Sequence, residues 1–136
     1  MCRYPRGLRA ELRDEFLSEL APDRELFSEW KSVERERGHD AAFEFTRYEE
    51  RFRLSAWGMT LLHELSRRPG DVFLVCQCRV GERCHREMLL LLARRLFGAS
   101  VAEVFHGYSV WKKRIAELRW PLPGSALVSN ERRFPE

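Results

Sequence analysis

The sequence predicts an α/β domain in which helices pack around a small parallel sheet, with a helix-rich N-terminal half. Three observations lead there. Residues 8–67 repeat apolar side chains at helical spacing through successive stretches. Asp71-Val72-Phe73-Leu74-Val75-Cys76 is a short, continuous apolar run behind a Pro69-Gly70 turn, the pattern of a strand buried on both faces. A helical stretch from Glu82 to Phe97 leads to a second run, Val101-Ala102-Glu103-Val104-Phe105, so a right-handed crossover would set the two strands parallel.

In chain order, Arg6-Gly7 reads as a turn, and Leu8, Leu12, Phe16, Leu17 and Leu20 form the stripe of a helix that ends near Ala21-Pro22. Asp23 stands where an N-cap belongs, and the helix behind it carries Leu26, Phe27 and Trp30 and stops at Gly38. His39-Asp40 opens a third stretch, in which Phe45, Tyr48 and Phe52 share a face and count as core. A fourth, after Ser55, carries Trp57, Leu61, Leu62 and Leu65, and its His63 reads as a structural histidine. Met88 to Ala93 is apolar all the way round, so that helix must be covered on more than one side. A last helix runs from about Val110 to Leu118. Two strands make an inadequate sheet. Completion would come from Ala126-Leu127-Val128, from Cys2-Arg3-Tyr4, from a second chain, or from residues upstream of Met1.

A chain of 136 residues makes one domain, residues 1–136, large enough to bury roughly two thirds of its unfolded surface without disulfides. No apolar run approaches the roughly 18 residues of a membrane span, and the N-terminus has no signal-peptide pattern, so the expected location is cytoplasmic. The formal charge of +3 comes from bases interleaved with acids, which permits nucleic-acid binding without indicating it. One Gln and one Asn against 33% charged residues is a thermophile's bias and predicts a high melting temperature.

Several of these segments together resemble a known family. Tyr4-Pro5-Arg6-Gly7-Leu8, Leu20-Ala21-Pro22, the spaced Phe45 and Tyr48, and above all Val72-Phe73-Leu74-Val75-Cys76 followed by Cys84-His85-Arg86 are similar to the YeaO-like proteins, domain of unknown function 488. The resemblance covers roughly residues 3–106. It implies a compact α/β fold with a small parallel sheet, and it brings no reaction. The chain departs from the pattern in lacking a strand before Pro5-Arg6-Gly7 and in carrying Cys78 where an acidic residue is common.

The chemistry concentrates in Cys76 to Arg86. A strand that loops into a helix would put unpaired N–H groups at a sheet's carboxyl edge, with Arg79, Arg83 and Arg86 nearby, and in the arrangement that the resemblance implies Arg6 would face the same cleft. That arrangement suits an anion, above all a phosphate-bearing small molecule, with His85 to donate or relay a proton and Cys84 as the candidate nucleophile. The reaction is not specified. The Cys-x5-Arg loop of cysteine phosphatases is absent, since Glu82 follows Cys76 at that spacing and Cys84 follows Cys78. Cys76, Cys78, Cys84 and His85 do not have zinc-knuckle spacing, so no metal or cofactor is assigned, and a Cys78–Cys84 disulfide stays open beside that reading. The competing class is a structural or interaction protein, a homodimer joined over the apolar Met88 to Phe97 surface, with packed or cross-linked cysteines. Nucleic-acid binding through Trp111-Lys112-Lys113-Arg114 is a third reading.

Overall fold

The computed structural model describes residues 18–74 and 81–120. They form a short 3-10 turn, Ser18–Leu20, and six α-helices: α1 (Arg24–Arg37), α2 (His39–Phe45), α3 (Tyr48–Arg51), α4 (Ala56–Arg67), α5 (His85–Phe97) and α6 (Ser109–Ala116). Helix α5 is the centre, packed against α4 on one side and α6 on another, while α3 joins α6 to the α1–α2 pair. No helix among the described residues is long and apolar enough to cross a membrane.

The helix limits follow from local chemistry. Asp23 caps α1 by accepting from the Leu26 N–H at 2.8 Å, and Ser55 caps α4 by accepting from the Gly58 N–H at 3.0 Å. Gly38 takes φ 95°, a conformation only glycine adopts without strain, and so lets α2 begin one residue after α1 ends. The stretch from His39 to Phe52 was expected to be one helix, but Arg47 interrupts it at a left-handed φ of 54°. That break corrects the core assignment. Phe45, before it, is 62% exposed, whereas Tyr48 and Phe52, after it, are buried.

Tyr48 and Phe52 then build an aromatic column through the core. Phe43 stacks on Tyr48 at 4.3 Å, Tyr48 stands 5.9 Å from Phe52, and Phe52 stands 5.5 Å from Trp111. Burial of each such ring contributes about 1.5–3 kcal/mol. Met88, Leu89, Leu91, Leu92 and Ala93 are all buried, so the all-round apolar pattern of α5 does mark a helix covered on several sides. The Trp111 indole N–H donates to the Met88 carbonyl at 2.8 Å and ties α6 to α5.

Helices α3 and α6 also cap each other. The N-cap of α6, Tyr108, offers no side-chain capping bond, and the Glu49 carboxylate accepts from the Trp111 N–H at 3.0 Å in its place. In return Arg114 donates to the Glu49 and Phe52 carbonyls, at 2.6 and 2.7 Å, which α3 leaves unpaired at its end.

The expected α/β fold with a parallel sheet is contradicted, since the described residues are helical and contain no strand. Residues 71–74 and 101–105 are irregular. A strand in a parallel sheet is covered on both faces, but Val72, Phe73 and Phe105 are 40%, 80% and 50% exposed. The Phe105 N–H, which a sheet would pair with a neighbouring strand, donates to the Glu87 carboxylate at 2.9 Å. Val75, Cys76 and the proposed completing segments 2–4 and 126–128 lie outside the described residues.

Gly58 sits where the 3-10 turn crosses α4. A Cβ there would come within 2.7 Å of the Glu19 carbonyl oxygen, a backbone atom that cannot swing aside. Glycine to alanine inside a helix ordinarily gains about 1 kcal/mol. Gly58→Ala is expected to lower the urea midpoint instead, and a raised midpoint would show that the turn does not rest on α4.

Candidate functional site

Of the residues expected to form the site, the structure places Arg83, Cys84, His85 and Arg86 together at the start of α5, while Arg6, Cys76, Cys78 and Arg79 lie outside the described residues. Cys84 is the N-cap. Its backbone is extended (φ −154°, ψ 143°), and its sulfur accepts from the Arg86 N–H at 3.4 Å, so the thiol position serves as a helix cap. It is 1% exposed. His85 is half-buried with its ring 5.8 Å from that of Phe52, and Arg86 is half-buried beside it. Arg83 reaches across to Glu44 on α2 at 3.1 Å, a pair whose carboxylate is largely exposed and which adds little to stability.

Two groups that sequence reasoning passed over hold this corner together. Glu87, in the first turn of α5, is 1% exposed, although beside so many arginines it reads as a solvated ion-pair partner. One carboxylate oxygen accepts from the Tyr108 hydroxyl at 2.7 Å and the other from the Phe105 N–H at 2.9 Å. The same hydroxyl accepts from the Cys84 N–H at 2.9 Å. In a capping box the acid at the third helical position reaches back to the N-cap N–H itself. Here Tyr108 stands between them, and the box is widened by one hydroxyl. The signal in the sequence was Cys84-x-x-Glu87, a capping-box spacing with a weak cap residue. Burial and the bond to Glu87 raise the Tyr108 pKa far above its ordinary value.

Two histidines brace the loop in front of the helix. His39 Nε2 is 2.5 Å from the Arg83 carbonyl oxygen, its Nδ1 faces the Glu82 carboxylate at 3.7 Å, and His106 Nε2 is 2.6 Å from the Gly81 carbonyl oxygen. With Tyr108 on the Cys84 N–H, ring side chains from distant parts of the chain fix the backbone of residues 81–84. His63, by contrast, packs against Phe97 at 4.8 Å and Trp120 at 5.8 Å, and burial lowers its pKa, as suits a structural histidine. Among the described residues, no three His, Cys, Asp or Glu side chains are placed to hold a metal ion.

Residues 1–96 match the family model described as the active DUF488-N3 subclade, DUF488-N3a. The chain belongs to this DUF488 family. The resemblance read from Tyr4 to Leu8 and from Cys84-His85-Arg86 therefore holds. No curated protein and no solved structure matches the chain. The DUF488-N3a match spans Cys84, His85, Arg86 and Glu87 and ends within α5, so Tyr108 and His106 reach the corner from beyond the matched segment.

The pH behaviour of Tyr108 gives a direct test. Its folded pKa is raised, so the folded chain keeps the proton above about pH 10, where the unfolded chain releases it. The contribution is complete below that pH and is lost as pH rises further. Tyr108→Phe is expected to cost about 1–3 kcal/mol at neutral pH, by stranding Glu87 and the Cys84 N–H, and to flatten the alkaline fall in stability followed by urea unfolding. An unchanged alkaline slope would remove Tyr108 from this role.

Proposed function

We propose that the chain binds an anionic, phosphate-bearing small molecule at residues 83–86 and acts on it. The observation that carries this reading is the bracing of residues 81–84 by His39, His106 and Tyr108, which holds Arg83 and the entry to α5, where His85 and Arg86 follow. Fixed geometry is what a binding site needs of its side chains. Arg83 and Arg86 would meet the anion, Arg6 and Arg79 would add to it, and His85 would give or take the proton. The description of the family as an active subclade supports catalysis.

Two features of the corner shape the proposal. The chain's own Glu87 carboxylate already stands in the first turn of α5, so the anion is met by the guanidiniums and not by the helix end. Cys84, buried and capping, acts as nucleophile only after the corner opens, so His85 is the stronger catalytic candidate. The competing homodimer reading draws on exposed Phe45, Phe73 and Phe105, but α4 and α6 cover much of the Met88 to Phe97 surface expected to be its interface.

Thermal unfolding with inorganic phosphate, pyrophosphate and adenosine monophosphate tests the proposal. Ligand at about 100 times Kd stabilises by about 2.7 kcal/mol, which at least one of these is expected to approach at millimolar concentration. Arg83→Ala with Arg86→Ala should abolish the response. A rise that survives the double substitution, or no rise with any of the three, would reject the site.

A further inference from the structure

The opposite end of α5 carries a separate surface. Trp111 bonds to Met88 and Arg95 donates to the Ala116 carbonyl at 2.9 Å, so α5 and α6 run in the same direction and their C-terminal ends lie together. From Arg94 to Trp120 the chain has six cations, Arg94, Arg95, Lys112, Lys113, Arg114 and Arg119, against two acids, Glu103 and Glu117. All six but Arg114 are exposed. Among the described residues none of the six lies within ion-pair distance of a carboxylate, and Arg95, Arg114 and Arg119 bond only to carbonyls, which leave their charge intact. The α1–α3 region differs. There nine acids face six bases between Asp23 and Arg51, and Arg47 and Arg51 pair with Glu50 and Glu29.

Cations in the last turn of a helix also complement its dipole, so part of this charge has a local reason. Two helix ends supply about one negative charge between them. Arg114 is turned to α3, so five exposed cations less two acids and that one leave a positive excess about the C-terminal parts of the two helices. Its occupant follows from what the surface lacks. Of the large apolar side chains that are exposed, Phe45, Val72, Phe73 and Phe105 belong to other segments and Val110 is the one on α6, so the surface has neither the aromatic anchors of a protein interface nor the wedge that enters a membrane. Trp111 is buried and Trp120 packs against Phe97 at 5.8 Å, so no indole on α6 or just after it is free to stack on a base.

We infer that the joined C-terminal ends of α5 and α6 bind the phosphate backbone of nucleic acid without reading its bases. Within Trp111-Lys112-Lys113-Arg114 the indole belongs to the core, and the lysines beside it carry the contact. Backbone binding of this kind releases counterions, so affinity falls steeply with salt.

Fluorescence anisotropy with a labelled DNA duplex of about 20 base pairs, titrated between about 50 and 200 mM salt, is the test. Wild-type protein should bind with little dependence on sequence and weaken about 100-fold over that range. Arg94→Gln, Lys112→Gln and Lys113→Gln together should weaken binding at the lower salt at least about 10-fold. The charge-matched Arg24→Gln, Lys31→Gln and Arg35→Gln variant of α1 should lose far less. No binding at low salt, equal loss in the two variants, or binding to phosphatidylserine vesicles in place of DNA would overturn the inference. Arg83→Ala with Arg86→Ala leaves this surface intact, so the two sites fail separately.

Discussion

A carboxylate taken out of water needs donors to replace the water it loses, and Glu87 constrains the rest of this structure through that requirement. Its two oxygens are met by the Tyr108 hydroxyl and the Phe105 N–H, both from the segment between α5 and α6. Tyr108 must therefore lie beside the start of α5, and α6, which begins at the next residue, must lie along α5. Trp111 and Arg95 then fix the direction of that pairing. Glu49 and Arg114 carry the constraint on to α3, and the ring column from Trp111 through Phe52 to Phe43 carries it to α2.

The same requirement accounts for the place of the chemistry. The Cys84 N–H, the Tyr108 hydroxyl and Glu87 form one chain of polarised bonds, and His39 and His106 hold the loop that enters it. The DUF488 family match covers the loop and the helix start, and the segment beyond the match supplies Tyr108 and His106. The candidate small-molecule site and the basic surface therefore sit at opposite ends of α5, one among buried, satisfied groups and the other among cations that outnumber the acids.

Features set by neighbouring residues were legible in the sequence. Asp23 as a cap, Gly38 as a stop, the helix start after Ser55, and the all-round apolar α5 each depend on a few adjacent positions. Over its described residues, 71–74, the expected strand was misread because a short apolar run has no periodicity to separate a buried strand from an exposed connection. The irregular backbone there and the solvent exposure of Val72 and Phe73 decide against it. The break at Arg47 carries no glycine or proline to announce it, and it moved Phe45 out of the core. In the site, Cys84, His85 and Arg86 stood out by type, but the burial of Glu87 depends on a hydroxyl 21 residues away, and the role of His39 on a carbonyl 44 residues away. No spacing rule connects such pairs.

The coupling between Glu87 and Tyr108 is the claim on which this account depends, and a double-mutant cycle of Glu87→Gln and Tyr108→Phe, followed by urea unfolding, measures it. Partners in one buried network should be coupled by about 1 kcal/mol or more. Losses that simply add, to within about 0.5 kcal/mol, would mean that the carboxylate and the hydroxyl act independently and that the start of α5 is held by something else.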